Sequence, residues 1–138
     1  TWNTFVEEIV RDIAAKKHWF DIGLIASIYI KEEWWDRLLE LVRRSPDLNT
    51  LDYYEKYLSK QYTTEIVELY ENAIQIFMQY NMGRDHYRNA CRYLRKIIKL
   101  GAREKANGII THLRTKYPQR KALMEVLIIV CVCGFNLL

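Results

Sequence analysis

Glycine and proline are scarce in this chain of 138 residues, which contains five Gly and only two Pro, Pro46 and Pro118. Because both residues interrupt helices, their scarcity beside abundant Leu, Ile, Glu, Lys and Arg favours long helices with few turns. Strict alternation of apolar and polar residues persists over no long window, so the pattern of a half-buried strand is also missing. The sequence therefore predicts an all-α fold.

Recognisable catalytic and cofactor-binding motifs are missing as well. The sequence contains no Walker loop, GxGxxG, GxSxG or HExxH motif, and no two of its three histidines are spaced to share a metal ion. Cys131 and Cys133 resemble half of a zinc site, but tetrahedral zinc needs four ligands and no C-x-H follows. We interpret both as small apolar residues. We expect no enzyme activity, no catalytic residue, no bound metal and no cofactor.

Cysteine and long apolar runs are limited too. Three Cys, an odd number, without a signal peptide indicate a reducing compartment, so we expect a cytoplasmic protein.

The apolar stretch 124–138 is about 15 residues long, short of the ~20 that a membrane-spanning helix needs. We expect no membrane span. The apolar tail at 128–138 is predicted either to pack into the last groove of the fold or to join another subunit in a homo-oligomer.

Charge is distributed unevenly along the chain. Residues 1–83 hold nine Lys or Arg against fourteen Asp or Glu, whereas residues 84–138 hold twelve against three. One interpretation is a basic surface for an anionic partner; the other is that the two halves attract each other or that the charges solvate exposed helix faces. The candidate anion-binding or nucleic-acid-binding side chains form a stripe: Arg84, Arg88, Arg92, Arg95, Lys99 and Arg103.

Apolar periodicity divides the chain into seven or eight amphipathic helices. The clearest is 84–100, where Tyr87, Ala90, Cys91, Leu94, Ile97 and Ile98 recur at helical spacing on one face, between Gly83 and Gly101. Ser45-Pro46-Asp47 is the first clear break, after which Asn49 or Thr50 is expected to cap the next helix.

Short connections between helices predict antiparallel pairs within a single helical-repeat domain over 1–138. A tetratricopeptide-like or HEAT-like α-solenoid is the expected architecture, and a compact orthogonal bundle is the alternative; no strict 34-residue period is present. Because the chain begins at Thr1 rather than Met, we interpret it as a piece of a longer protein. Adjacent aromatic pairs cannot all face one core, so four residues are candidates for contact with a partner: Trp34, Trp35, Tyr53 and Tyr54.

The sixth to eighth predicted helices resemble a known family. The segments GRDHYRNACRYLRKIIKLG and ITHLRTKYPQRKALMEVL are similar to the C-terminal helical region of bacterial SWIM zinc-finger proteins, and EEWWDRLLELVRRS and TEIVELYENAI resemble its upstream helical part. The family pattern is matched at these positions: Gly83, Arg84, Tyr87, Ala90, Tyr93, Leu94, Arg95, Leu113, Arg114, Tyr117, Arg120, Ala122, Leu123, Met124, Glu125 and Leu127. The apolar residues after Leu127 depart from it. The resemblance implies a helical scaffold lacking the zinc finger, which in the family lies upstream.

These features predict a non-catalytic helical scaffold or protein-interaction module of a larger SWIM-type protein. Its expected partner is another protein or another part of the full-length chain. The alternative is an accessory nucleic-acid-binding module that uses the basic stripe of residues 84–121. Against that alternative, Tyr87 and Tyr93 are not both placed to stack bases, as a single-strand platform would require. Arg84 and Arg120 are instead expected to form structural ion pairs with acids such as Asp85, Glu104 or Glu125.

Overall fold

A computed structural model describes residues 2–16, 22–44 and 46–136, and all the regular secondary structure in these ranges is helical. The prediction of an all-α fold is confirmed for this part of the chain. The eight helices within these ranges are α1 (Trp2–Lys16), α2 (Ile22–Lys31), α3 (Trp35–Arg44), α4 (Leu48–Leu58), α5 (Thr63–Tyr80), α6 (Arg84–Lys99), α7 (Arg103–Lys116) and α8 (Lys121–Asn136).

The chain divides into two compact units, Thr1–Ser45 and Pro46–Leu138, where the sequence predicts one domain. The division falls at Ser45-Pro46-Asp47, the first break predicted from the sequence. Proline lacks a backbone N–H and restrains the residue before it to extended conformations, so a helix rarely continues through this position.

The first unit contains α1, α2 and α3. Helix α3 buries four apolar side chains, Leu38, Leu39, Leu41 and Val42, and packs against α2. Two contacts join α1 to the rest of this unit. Arg37 of α3 forms an ion pair with Glu7, and Trp2 Nε1 donates a hydrogen bond at 2.9 Å to Oε2 of Glu32, in the turn after α2.

Helix α6 is the centre of the second unit, where it packs against α5, α7 and α8. Its predicted apolar face is buried, because Tyr87, Leu94 and Ile97 are at most 3% exposed. Tyr93 is also fully buried and lies beside Tyr70 of α5, with ring centroids 5.8 Å apart. The sequence therefore identified the helix on which the core of this unit is built.

Local chemistry accounts for the ends of the helices. Gly83 and Gly101 have φ angles of 113° and 90°, left-handed values that L side chains rarely adopt, so each allows the chain to turn beside α6. Helix α4 is capped by Asp47, whose carboxylate accepts a hydrogen bond from the backbone N–H of Thr50 at 2.9 Å. The predicted caps, Asn49 and Thr50, instead lie inside the helix.

The predicted apolar tail is part of the eighth helix, since α8 extends to Asn136. Side chains from residue 129 onward lie outside the described part, including those of Cys131 and Cys133. Ile128, the last described side chain, is exposed. Among the residues that the structure describes, no helix combines the length and apolar character required to cross a membrane.

Candidate interaction surfaces

The basic stripe lies along one side of α6. Arg84, Arg88, Arg92, Arg95 and Lys99 follow one another at intervals of four, four, three and four residues. At 3.6 residues per turn they occupy about 80° of the helix circumference and about 22 Å of its length. Arg103, the sixth predicted member, begins α7 instead.

Acidic side chains from two other helices border this stripe. On one side, Arg84 Nη2 lies 2.9 Å from Glu125 Oε2 of α8. On the other side, Asp52 of α4 contacts both Lys96 and Arg92, the latter at 3.6 Å. The predicted ion pair of Arg84 is therefore present. Some ion pairs between the acidic residues 1–83 and the basic residues 84–138 therefore form within the second unit, such as the contact of Asp52 with Lys96.

Arg120, the other predicted ion-pair former, is placed differently. Its Nη1 donates a hydrogen bond to the carbonyl oxygen of Met78 at 2.8 Å, and its guanidinium lies 3.9 Å from the ring centroid of Tyr117. It thereby satisfies a carbonyl near the C-terminal end of α5, one of the groups that a helix end leaves without an intrahelical partner.

The two tyrosines of α6 are unavailable for stacking on bases. Tyr87 is 3% exposed and Tyr93 is fully buried. The Tyr93 hydroxyl accepts a hydrogen bond from Arg92 Nη2 at 2.9 Å. This buried tyrosine therefore orients the Arg92 side chain, a member of the stripe. A single-strand platform needs aromatic faces open to solvent beside its cations, and both tyrosine rings of α6 are closed to solvent.

Burial perturbs the titration of groups between α4, α5 and α6. Burial raises the pKa of Glu55, against the opposing attraction of Lys99. Burial also raises the pKa of Tyr70, and the nearby Glu55 raises it further. Toward α7, Lys105 Nζ lies 2.9 Å from Glu71 Oε2, and this hydrogen bond raises the pKa of Lys105.

The hydroxyl of Tyr70 is buried and makes no hydrogen bond within the described residues. We expect Tyr70→Phe to raise the free energy of unfolding by about 1 kcal/mol, because burying an unpaired hydroxyl is unfavourable. The unfolded state loses the tyrosine proton near pH 10 and the folded state only at higher pH, so the folded state loses stability as pH rises through this window.

Urea unfolding at pH 7 and at alkaline pH tests this expectation. The advantage of the Phe variant should widen above about pH 10, since phenylalanine does not titrate. Destabilisation by 1 kcal/mol or more at about pH 7 would mean that the hydroxyl has a partner, such as a buried water molecule.

The four predicted partner-facing aromatics are not equivalent. Tyr53 is 64% exposed, whereas its neighbour Tyr54 is 8% exposed and belongs to the core. Trp34 and Trp35 are both half-buried, and the Trp34 ring lies 4.2 Å from the Arg37 guanidinium carbon. Of the Tyr53–Tyr54 pair, only Tyr53 therefore presents most of its ring to solvent.

An apolar cleft of about 230 Å³ lies between the start of α4 and the second half of α5. It is lined mainly by Leu48, Ala73, Ile76, Phe77 and Tyr80. Ile76 and Tyr80 are 56% and 76% exposed, and Met82, just beyond the helix, is also exposed. Sequence reasoning missed this cleft, although Ile76 and Tyr80 form an i, i+4 apolar pair away from the buried face of α5.

Side chains that could ligate a metal ion do not cluster in the described part of the chain. No group of three His, Cys, Asp or Glu residues is placed there to hold a metal ion. Cys91 is buried in the core, and His86 and His112 are exposed on different helices. His18 lies outside the described residues.

Comparisons of the chain with protein-family models, with curated proteins and with solved structures find no match. The resemblance to SWIM zinc-finger proteins therefore stays a prediction from the sequence.

Proposed function

We propose that this chain is a non-catalytic helical scaffold that binds a protein partner, and that it belongs to a larger protein of the SWIM type. The observation that carries the proposed binding function is the apolar cleft beside α5, in which Ile76 and Tyr80 of the lining are exposed. Contiguous exposed apolar surface is characteristic of protein-interaction sites in soluble proteins. Aromatic side chains are enriched at such sites, and Phe77 and Tyr80 line the cleft, which supports a partner with apolar anchor residues.

The solenoid architecture is part of this proposal. Helix α5 packs against α6 and α7, and α6 packs against α7 and α8. Each of these two helices therefore contacts the two helices that follow it in the chain. Stacked helix pairs produce this contact pattern, and solenoids built from them present extended surfaces to their partners. A compact orthogonal bundle remains the alternative arrangement.

Selection of displayed random peptides against the full chain tests the binding function. We expect selected peptides to carry apolar anchors and to bind the Ile76→Ser/Tyr80→Ser variant at least about tenfold more weakly. Tyr53→Ser is the matched control, because Tyr53 is an exposed tyrosine on α4 rather than in the cleft. Failure to enrich any peptide, or equal binding by the cleft variant, would contradict the proposal. Loss of binding in the control alone would place the site at the aromatics predicted from the sequence.

A second candidate is an accessory nucleic-acid-binding module. It is favoured by the exposure of Arg88 and Lys99 on the basic stripe. Acidic residues on both borders of the stripe, and the burial of Tyr87 and Tyr93, count against it.

A further inference from the structure

The middle of the α6 stripe differs from its borders. Around the helix circumference, Arg88, Arg95 and Lys99 lie between the position of Arg84, which contacts α8, and that of Arg92, which contacts α4. Arg88 and Lys99 are exposed and Arg95 is half-buried. The nearest acid to Arg88 is Asp85, 3.7 Å away, and its side chain is almost completely exposed. Such exposed pairs contribute little energy, so they yield readily to a better partner.

Contacts at the two borders of the stripe hold Arg84 and Arg92 in place. Arg92 donates a hydrogen bond to the buried Tyr93 hydroxyl and contacts Asp52, while Arg84 contacts Glu125. Orienting arginines before binding reduces the side-chain entropy that is lost on binding. The result is a row of cations about 22 Å long with carboxylates on each side.

We propose that this row binds an acidic segment of a protein partner, in extended or helical form. This inference rests on the proposed protein-binding function and adds a second surface to the cleft. Around the helix circumference, Arg88 and Arg95 lie between the bordering contacts with Glu125 and Asp52, so the carboxylates of a single narrow chain can follow this row. Lys99, at the far end of the row, already attracts Glu55 of α4. A nucleic-acid duplex is wider than one helix face and would bring phosphates against Asp52 and Glu125, where like charges repel. A single strand would find both tyrosine rings of α6 buried and unable to stack on its bases.

Binding of fluorescein-labelled polyglutamate, measured by anisotropy with the full chain at about 0.15 M salt, tests the inference. A labelled oligodeoxythymidylate of equal formal charge serves as the competing class of ligand. We expect polyglutamate to bind more tightly than the oligonucleotide. Arg88→Glu/Lys99→Glu should weaken polyglutamate binding by at least about tenfold. Lys60→Glu/Lys116→Glu is the matched control, because it makes the same change in net charge at exposed positions that are not on α6.

Each outcome separates the two proposals. Equal loss in both charge variants, or no binding by polyglutamate, overturns the acidic-partner inference and leaves peptide binding at the cleft to be judged by its own selection experiment. Tighter binding of the oligonucleotide, with loss in the stripe variant alone, overturns the inference and favours the nucleic-acid alternative. Thermal unfolding of both variants shows that each is folded before binding is compared.

Discussion

Replacing Ile97 by Ala is expected to lower the free energy of unfolding by about 2–5 kcal/mol. Ile97 is fully buried on α6, which packs against three other helices of its unit. The substitution removes apolar contacts and leaves a cavity that the surrounding helices fill only in part. Urea unfolding followed by circular dichroism measures the loss.

Ile76→Ala makes the same chemical change at a position that is 56% exposed, and it serves as the matched control. We expect it to cost less than about 1 kcal/mol, because the removed atoms are largely in contact with water already. Equal losses at Ile97 and Ile76 would contradict the assignment of α6 as the centre of the core.

Replacing Lys96 by Met is expected to lower the free energy of unfolding by about 1–3 kcal/mol. The Lys96 ammonium on α6 contacts Asp52 and lies 3.9 Å from Glu55. Both of these acids belong to α4. All three side chains are less than one-third exposed. Removing the cation leaves two poorly hydrated carboxylates near each other. Removing one partner of a partly buried ion pair destabilises the folded state by more than the intact ion pair stabilises it, because the remaining charge is left uncompensated.

A double-mutant cycle with Asp52→Asn isolates the interaction. In the Lys96→Met background, Asp52→Asn should cost about 0.5–3 kcal/mol less than in the wild-type chain, since Lys96 is already gone and only Arg92 still contacts Asp52. Lys60→Met removes an exposed lysine from just beyond the end of α4 and should change stability by no more than about 0.5 kcal/mol. Additive effects in the cycle would show that Lys96 and Asp52 are not coupled.

Which segments form helices could be predicted from this sequence, because the apolar residues of each helix recur at helical spacing within that segment. The α6 face, from Tyr87 to Ile97, is an example: periodicity alone marks its buried side. Helix ends were harder to place, because several residues compete for one role. Asp47, Asn49 and Thr50 are all good caps, and Asp47 caps α4 in the structure.

The surroundings of the stripe could not be predicted in the same way. That Arg84 to Lys99 share one side of a helix follows from spacing, but the contact of Lys96 with Asp52 joins residues that are distant in sequence. Periodicity contains no information about which helices become neighbours. Adjacent aromatics show the same limit, since Tyr53 and Tyr54 are equivalent in sequence and only packing selects which of them is buried.

The most direct test of the account titrates the labelled full chain in parallel with a cleft-selected peptide and with single- and double-stranded DNA and RNA, at roughly 50 and 200 mM salt. The account predicts that the peptide saturates at both salt concentrations, with an affinity that changes little, because its contacts are largely apolar. It predicts that nucleic acids do not saturate at the higher salt over the same concentration range. The account would be contradicted if a nucleic acid bound with higher affinity than the peptide, if that affinity fell steeply with salt, and if Arg88→Glu/Lys99→Glu abolished the binding.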